Sequence, residues 1–570
     1  MAKATDHDVF KALSPDVRAT ILGATERVDL RAGEKLFEVG DPGDAIFVVN
    51  TGSLGVYFPG PSGYPQLSAV IKPGETVGEM AVISGEPRSA TVTAIRDSNL
   101  VKLTKIEFDR LVHSKPVIMN ELNRLLVHRL QQVTNKTDGR LEPKTIAILP
   151  AGKMAKVDLI VKQLSEVLNQ DGNAFSIITK EDGLEQLDDL TKLEARCDLV
   201  FFIGCCDDQR WNAKCARQAD RILIVANGAD RPHCDLSVEI LRQRAVHQLV
   251  DLILIQSDTI ALPRQTTAWL DTVPVNRHFH IRNIPADWQH LKRILMGRGV
   301  GLVLSGGGAR AYAHIGALKA IEEAGVNIDF IGGSSMGAIV AGCYAFGWSL
   351  DEIIDRIKTS FVASNPLNDY TLPFMSLVRG HKVERLLYQN YGDANIADLW
   401  VPYFCASSNL TNGHVHIHKT DKLWKALRAS IALPGILPPV PTKHGLLVDG
   451  GVLDNMPVDV MRGIHRGPVI AIDVAREHLM DTAWFEKENQ RSWFRKAIAP
   501  PIISILMRSG TVGSEALNRQ QANRADLTVE PPLGSIEIRQ WKCFEETVEI
   551  GYQETKKQLD KSKNRLFSGR

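Results

Sequence analysis

The stretch FIGGSSMGAI (residues 330–339) joins two apolar runs through a pair of glycines and a pair of serines. Its centre, Gly333-Ser334-Ser335-Met336-Gly337, has the spacing G-x-S-x-G. In that spacing the middle serine sits on a sharp strand-to-helix turn with its hydroxyl presented, and the flanking glycines keep the turn clear. Ser335 is the candidate nucleophile and Ser334 its small neighbour. Residues 330–350 are uncharged and long enough to cross a bilayer, yet they hold five glycines and the serine turn itself. They read as strand, elbow and helix in a buried α/β core, and no transmembrane helix is expected.

Upstream, VGLVLSGGGARAYAHIGALKAIEEAGVNIDF (300–330) runs strand, glycine loop, helix and strand. Gly306-x-Gly308-x-x-Ala311 satisfies a dinucleotide fingerprint, but that fold wants an acid at the end of the next strand. Asp329 stands at its start. The better reading joins loop to serine: backbone N–H groups of Gly306, Gly307 and Gly308 at a helix start would form an oxyanion hole beside Ser335. The serine then needs a base. In HGLLVDGGVLDNMPVDV (444–460) an apolar strand runs into Asp449-Gly450-Gly451, where a carboxylate at a strand end could take the proton without a histidine. His444, His465 and His478 offer a Ser-His-Asp alternative by residue type, but none lies in a suggestive local motif.

GGGAR, GSSMG, ASIALPGILPPV (429–440) and DGG, in this order, resemble the patatin-like phospholipase family. The resemblance implies a Ser335–Asp449 dyad, an oxyanion hole at Gly306 to Gly308 with Arg310, and acyl-ester hydrolysis. Where that family often continues GGGARG, this chain has Ala311. WNAKCARQADRILIVANG (211–228) and VHIHKTDKLWKALRASIALPG (415–435) are similar to its neuropathy target esterase branch. That branch implies lysophospholipid or phospholipid substrates.

Earlier segments have other rhythms. Residues 8–135 read as β-rich, with a hairpin signal in AIFVVNTGSLGVY (45–57) and glycines punctuating the turns. PGETVGEMAVISGEPRSATVTA (73–94) resembles the phosphate-binding cassette of cyclic nucleotide-binding domains. Gly78 would open a short helix toward a phosphate, Glu79 would accept from a ribose hydroxyl, and Arg88 and Ser89 would bind the phosphate. Cyclic AMP and cyclic GMP are not distinguished, and no other cofactor is required. Residues 144–258 alternate short apolar runs with amphipathic stretches, which implies a parallel sheet covered by helices. LPAGKMAK (149–156) lacks the upstream glycine and the Ser/Thr after Lys153 that a P-loop needs. The expected fold class is therefore multidomain: an N-terminal β-roll, a middle α/β domain with a parallel sheet, and a C-terminal patatin-like α/β/α domain over 297–540.

Composition narrows the partners. The 570 residues are 44% hydrophobic and 23% charged, with formal net charge +1, so charge gives no support for nucleic-acid binding. The eight cysteines show no paired C-x-x-C spacing, and the first residues lack an apolar signal region. Reduced thiols, no metal site and a cytoplasmic location are the expectation. GHVHIHK (413–419) sets His414, His416 and His418 on one strand face, read as an exposed polar face rather than a metal site. SWFRKAIAPPIISILMR (492–508) mixes aromatic and basic residues around an apolar core, allowing peripheral contact with the inner face of the membrane. The rival from another class is a cyclic-nucleotide-responsive binding protein whose hydrolase-like domain is inactive.

Overall fold

The computed structural model describes residues 26–59, 65–114, 143–182, 187–236, 241, 248–364, 366–372, 375–464, 467–475, 512–534, 536–538 and 540–567. Two compact units result, one holding residues up to 258 together with 268–297, the other holding 259–267 and everything from 298 onward. His465, His478 and the 492–508 segment lie outside the described residues.

In the first unit, strands β1 (Glu26–Leu30), β2 (Lys35–Phe37), β3 (Ala45–Pro59), β4 (Pro65–Ile71), β5 (Thr76–Val77) and β6 (Thr91–Thr104) form one antiparallel sheet. The long β3 and β6 pair along most of their length with irregular steps between Val49 and Leu54. Such steps bend a sheet onto itself around a core, here Phe47, Val49, Leu54, Val92 and Leu100. The short helix α1 (Glu79–Ser84) sits between β5 and β6.

The middle domain follows with β7 (Thr145–Pro150), α2 (Val157–Gln170), β8 (Phe175–Ile178), α3 (Leu187–Arg196), β9 (Leu199–Ile203), α4 (Gln209–Gln218), β10 (Arg221–Asn227), β11 (Leu249–Ile255), β12 (Arg277–Ile281) and α5 (Pro285–Leu295). All six strands are parallel, in the order β12-β11-β10-β7-β9-β8. Five of them fall on the apolar runs read from the sequence. The sheet nevertheless passes the expected boundary at 258, because β12 pairs with β11 and α5 runs to Leu295. Alternating histidines at 278 and 280 hide β12 from an apolar-run reading. A buried ion triad ties three strands together: Asp251, fully buried, accepts from both Arg221 and Arg277.

A second buried cluster joins the β-roll to this middle domain. Arg96 of β6 reaches Glu194 Oε1 at 2.6 Å and Oε2 at 2.8 Å, and its Nε lies 3.2 Å from Asp220 Oδ1. Ser53 also donates to Asp220, at 2.8 Å. Arg96 is 2% exposed, so this arginine is a structural clasp rather than a surface charge.

The second unit contains β13 (Gly301–Leu304), α6 (Ala313–Glu323), β14 (Phe330–Ser334), α7 (Ser335–Phe346), β15 (Tyr403–Asn409), β16 (Val415–His418), α8 (Leu423–Ser430), β17 (Val440–Thr442), β18 (Gly445–Asp449), β19 (Val469–Ile472), β20 (Leu527–Val529) and α9 (Phe544–Phe567). The main order is β17-β18-β15-β14-β13-β19-β20, with β16 added on β15. Its centre is parallel, while β16 and β18 each pair antiparallel with β15, and β17 pairs antiparallel with β18. The unit extends beyond the expected limit at 540, since α9 packs closely on α6: a Cβ on Gly316 would stand 1.9 Å from the Val548 carbonyl oxygen, and one on Gly551 would stand 2.1 Å from that of Ala313. Residues 330–350 form β14 and α7, and among the described residues no helix is long and apolar enough to cross a membrane.

Candidate active site

Strand β14 ends at Ser334 and α7 begins at Ser335, so the candidate nucleophile occupies the first turn of a helix. Its φ is +52°, and among the described residues only Gln265 shares positive φ without being glycine. Such a conformation costs about 1–3 kcal/mol and persists only where the surroundings enforce it. Here a Cβ on Gly333 would meet the Leu304 carbonyl oxygen at 2.4 Å, and one on Gly337 would meet that of Ser305 at 2.3 Å. Elbow and β13 are thus pressed together at two points that admit no side chain. The Ser335 N–H donates to Ser430 Oγ at 3.0 Å, and Ser430 in turn donates to the Ala406 carbonyl at 2.7 Å.

Asp449 closes β18 and is 2% exposed. Its Oδ2 accepts from Ser335 Oγ at 2.7 Å, while its Oδ1 accepts from the Gly451 N–H at 2.8 Å. The two glycines after it are needed: a Cβ on Gly450 would stand 2.3 Å from Ser334 Oγ. Burial pushes the Asp449 carboxyl up to about 6, against the opposing pull of the Ser335 and Gly451 hydrogen bonds. The pair therefore contains an acid poised near neutrality, bonded directly to a serine. His444, by contrast, is exposed and packs its ring at a tilt against that of His416.

The glycine loop comes up to this pair, a Cβ on Gly306 standing 2.8 Å from Ser335 Cβ. Asn455 holds the loop from below: it accepts the Gly306 N–H at Oδ1 (3.2 Å) and donates from Nδ2 to the Gly306 carbonyl (3.1 Å). Gly306 thus spends its N–H on Asn455. The N–H groups of Gly307 and Gly308 have no acceptor among the described residues. Gly308 takes φ +57°, whereas Ala311, the departure from GGGARG, has no positive φ and is fully buried. That substitution therefore imposes no strain on the loop. Arg310 follows in the same loop. Its backbone N–H donates to the Gly307 carbonyl at 3.2 Å and its buried Nε to the Ile536 carbonyl at 2.7 Å. A long side chain desolvated on a carbonyl fastens the loop to the 536–538 segment, which also receives the Ala309 N–H at Ile538. His314 braces the other end through Nε2 on the Ser305 carbonyl, and burial pulls it down to about 4, so it is neutral.

Ser430 and Asn455 were not singled out from sequence. Both lie beside motif residues, in RASIALPG and DGGVLDNMP, but what they do is hold backbone atoms 95 and 149 residues away.

In the β-roll, Gly78 adopts φ +86° ahead of α1 and Glu79 is buried. Arg88 is buried too, its Nη1 on the Gly78 carbonyl and its Nη2 on the Ala45 carbonyl, both at 2.8 Å, with the guanidinium 4.3 Å from the Phe37 ring centroid. Its Nε has no hydrogen-bond partner among the described residues. Burial lowers the Arg88 pKa, with Asp44 opposing. Ser89 is exposed. The four residues are close in sequence and structure, with Arg88 binding the turn that carries Gly78.

Three family models match the chain in succession: a cyclic nucleotide-binding domain over 27–115, a neuropathy target esterase family P-loop-like domain over 142–294, and a patatin-like phospholipase over 302–462. Human patatin-like phospholipase domain-containing protein 6 is 28% identical over 96% of this chain and 45% of its own length. Lysophospholipase nte1 of Aspergillus terreus is 27% identical over 97% of this chain and 43% of its own length. An uncharacterized NTE family protein of Mycobacterium tuberculosis is 28% identical, with 92% of this chain and 90% of the other aligned. The chain thus spans less than half the length of the human and fungal relatives and nearly the whole of the mycobacterial one.

Proposed function

We propose that this chain, in which a cyclic nucleotide-binding domain, a neuropathy target esterase family P-loop-like domain and a patatin-like phospholipase domain follow one another, is a serine hydrolase of lysophospholipid or phospholipid acyl esters. The observation that carries this reading is the direct hydrogen bond from Ser335 Oγ to Asp449 Oδ2 beneath a glycine loop with two uncommitted N–H groups. Asp449 accepts the Ser335 proton as Oγ attacks the ester carbonyl carbon. The carbonyl oxygen gains the negative charge and is met by the N–H groups of Gly307 and Gly308. One such donor typically lowers the barrier by about 3–4 kcal/mol. As the intermediate collapses, the carbon–oxygen bond to the glycerol moiety breaks, and that oxygen takes the proton from Asp449. Water then gives a proton to Asp449 as its oxygen attacks the acyl-serine carbonyl, and when that intermediate collapses the bond to Ser335 Oγ breaks, Asp449 returns the proton to Oγ and the fatty acid leaves. The lipid class rests on the family and on the relatives' names.

The β-roll is proposed as a cyclic nucleotide site at Gly78, Glu79, Arg88 and Ser89, with cyclic AMP or cyclic GMP shifting hydrolysis by preferring one arrangement of the chain. Arg88 would have to bring its guanidinium edge to the phosphate. Unchanged hydrolysis under saturating nucleotide would remove the regulatory part.

The deciding experiment is fatty-acid release from a lysophospholipid by the wild type, Ser335→Ala and Asp449→Ala, with folding checked by circular dichroism. Activity in the wild type alone supports the dyad. A folded wild type inactive on several acyl esters, with and without cyclic nucleotide, returns the chain to the class of binding proteins.

A further inference from the structure

The histidine-rich strand, a polar face by its sequence pattern, acquires a different meaning in the fold. Strand β16 pairs with β15, so that His416 faces Ser407 and His418 faces Cys405 in register. Alternation puts His416 and His418 on one face, with ring centroids 4.6 Å apart. His414 lies in the preceding turn and is exposed. In its place the fold supplies two other groups. Asp421, three residues past the strand, reaches His418 Nδ1 with Oδ2 at 2.7 Å. His444, from the turn between β17 and β18, lays its ring 4.8 Å from that of His416.

We infer that His416, His418 and Asp421 form a site for a late first-row divalent cation of the zinc class, with His444 or water completing the shell. The ligand atoms of the three residues all lie within 4.8 Å of one another. A tetrahedral zinc site brings its ligands to about 3.3–3.5 Å, given metal–ligand bonds of about 2.0–2.1 Å. Reaching that spacing means drawing in the wider gaps and opening the 2.7 Å contact between His418 and Asp421, movements made by rotating His416 and Asp421, both of which are part-exposed. His416 is ready to serve: among the described residues its ring nitrogens take no hydrogen bond, although it is packed between two other imidazoles. His418 is already oriented, since Ser407 Oγ stands 3.0 Å from its Nε2. On binding, the cation replaces the proton shared by His418 Nδ1 and Asp421. Nε2 then carries the ring N–H and donates it to Ser407, the outer-shell contact that metal-bound histidines regularly make. Two imidazoles and a carboxylate suit zinc, cobalt or nickel and not magnesium or calcium, which take oxygen ligands. Ser407 is also the register partner of Asp449, so an occupied site would brace the strand beside the proposed base.

The test uses the full-length protein, stripped with a chelator and titrated with Co²⁺ as a spectroscopic probe. The expected result is one equivalent bound per chain, with the visible absorption of a tetrahedral nitrogen–oxygen site. His416→Gln and Asp421→Asn, both part-exposed positions that leave the buried His418 in place, should each weaken binding at least tenfold. His414→Gln should leave it unchanged. Circular dichroism of each variant guards against unfolding. Substoichiometric binding at saturation overturns the site. So does binding that survives both His416→Gln and Asp421→Asn, or a spectrum dominated by thiolate charge transfer from the cysteines.

Discussion

Ser335 donates its hydroxyl proton straight to Asp449, Oγ to Oδ2 at 2.7 Å, and the same carboxylate is pinned by the Gly451 N–H through its other oxygen. Only the ionised carboxylate can act as base. Burial raises the Asp449 pKa from 3.8 to about 6, so the competent form is lost on the acid side of that value. Ester hydrolysis should therefore rise with pH along a single limb with its midpoint near 6 and level off above it. A rate-versus-pH profile on a soluble short-chain ester would show this. A limb centred at or below 4 would remove the buried base from the mechanism.

The same shift makes a stability prediction of defined sign. An acid whose folded pKa is raised favours the fold while it is neutral. That contribution is fully present below the unfolded value near 3.8 and lost as pH rises through about 6. At pH 8 the buried carboxylate costs the fold on the order of 3 kcal/mol. Asp449→Asn keeps the shape and deletes the charge. Its melting temperature at pH 8 should equal or exceed that of the wild type while hydrolysis drops by about 10²–10⁴-fold. A variant several degrees less stable at pH 8 would contradict the assignment.

Asn455 touches the glycine loop rather than the reacting atoms, so it is a positioning residue. Asn455→Ala removes both of its side-chain bonds to Gly306, leaving only the 3.3 Å bond from the Gly306 N–H to its backbone carbonyl, and so loosens the loop carrying the two proposed oxyanion donors. The expected signature is a kcat lower by about 10²-fold with KM nearly unchanged, because the loss falls on the transition state. A rise in KM at constant kcat would place Asn455 in substrate binding instead.

Arg96→Met tests the clasp between the β-roll and the middle domain. It strands the buried Glu194 and the part-buried Asp220 without their cation. Breaking a buried pair this way typically costs about 3–5 kcal/mol. Thermal unfolding followed by circular dichroism should shift down accordingly, and the triple change Arg96→Met, Glu194→Gln, Asp220→Asn should recover much of the loss. No shift in Arg96→Met would mean that the two acids find other partners.

What could be read from the sequence was local. Ser335 announced itself because an elbow needs small neighbours within two residues, and Asp449 because an apolar strand stops at an acid followed by two glycines. The five apolar strands of the middle domain are visible for the same reason, as short continuous apolar runs, four of them buried on nearly every residue and the edge strand β8 only partly so. The rest depends on groups far apart in the chain. Arg96 looks like any surface arginine until Glu194 and Asp220 are folded against it, and Ser430 and Asn455 act on backbone atoms in other strands. The side chain of Arg310 likewise finds its acceptor, the Ile536 carbonyl, 226 residues away, where no local pattern points to it.

The positive φ of Ser335 also bears on how copies of this gene would age. Glycine is the residue that relieves such strain, and an uncharged side chain is what the buried position 449 prefers. While hydrolysis is selected, neither change is tolerated. Once it is not, both are improvements to the fold, and drift is free to take them. Decayed paralogues should thus be recognisable by glycine at the elbow and a neutral residue at the strand end, in chains that have become sturdier as they fell silent.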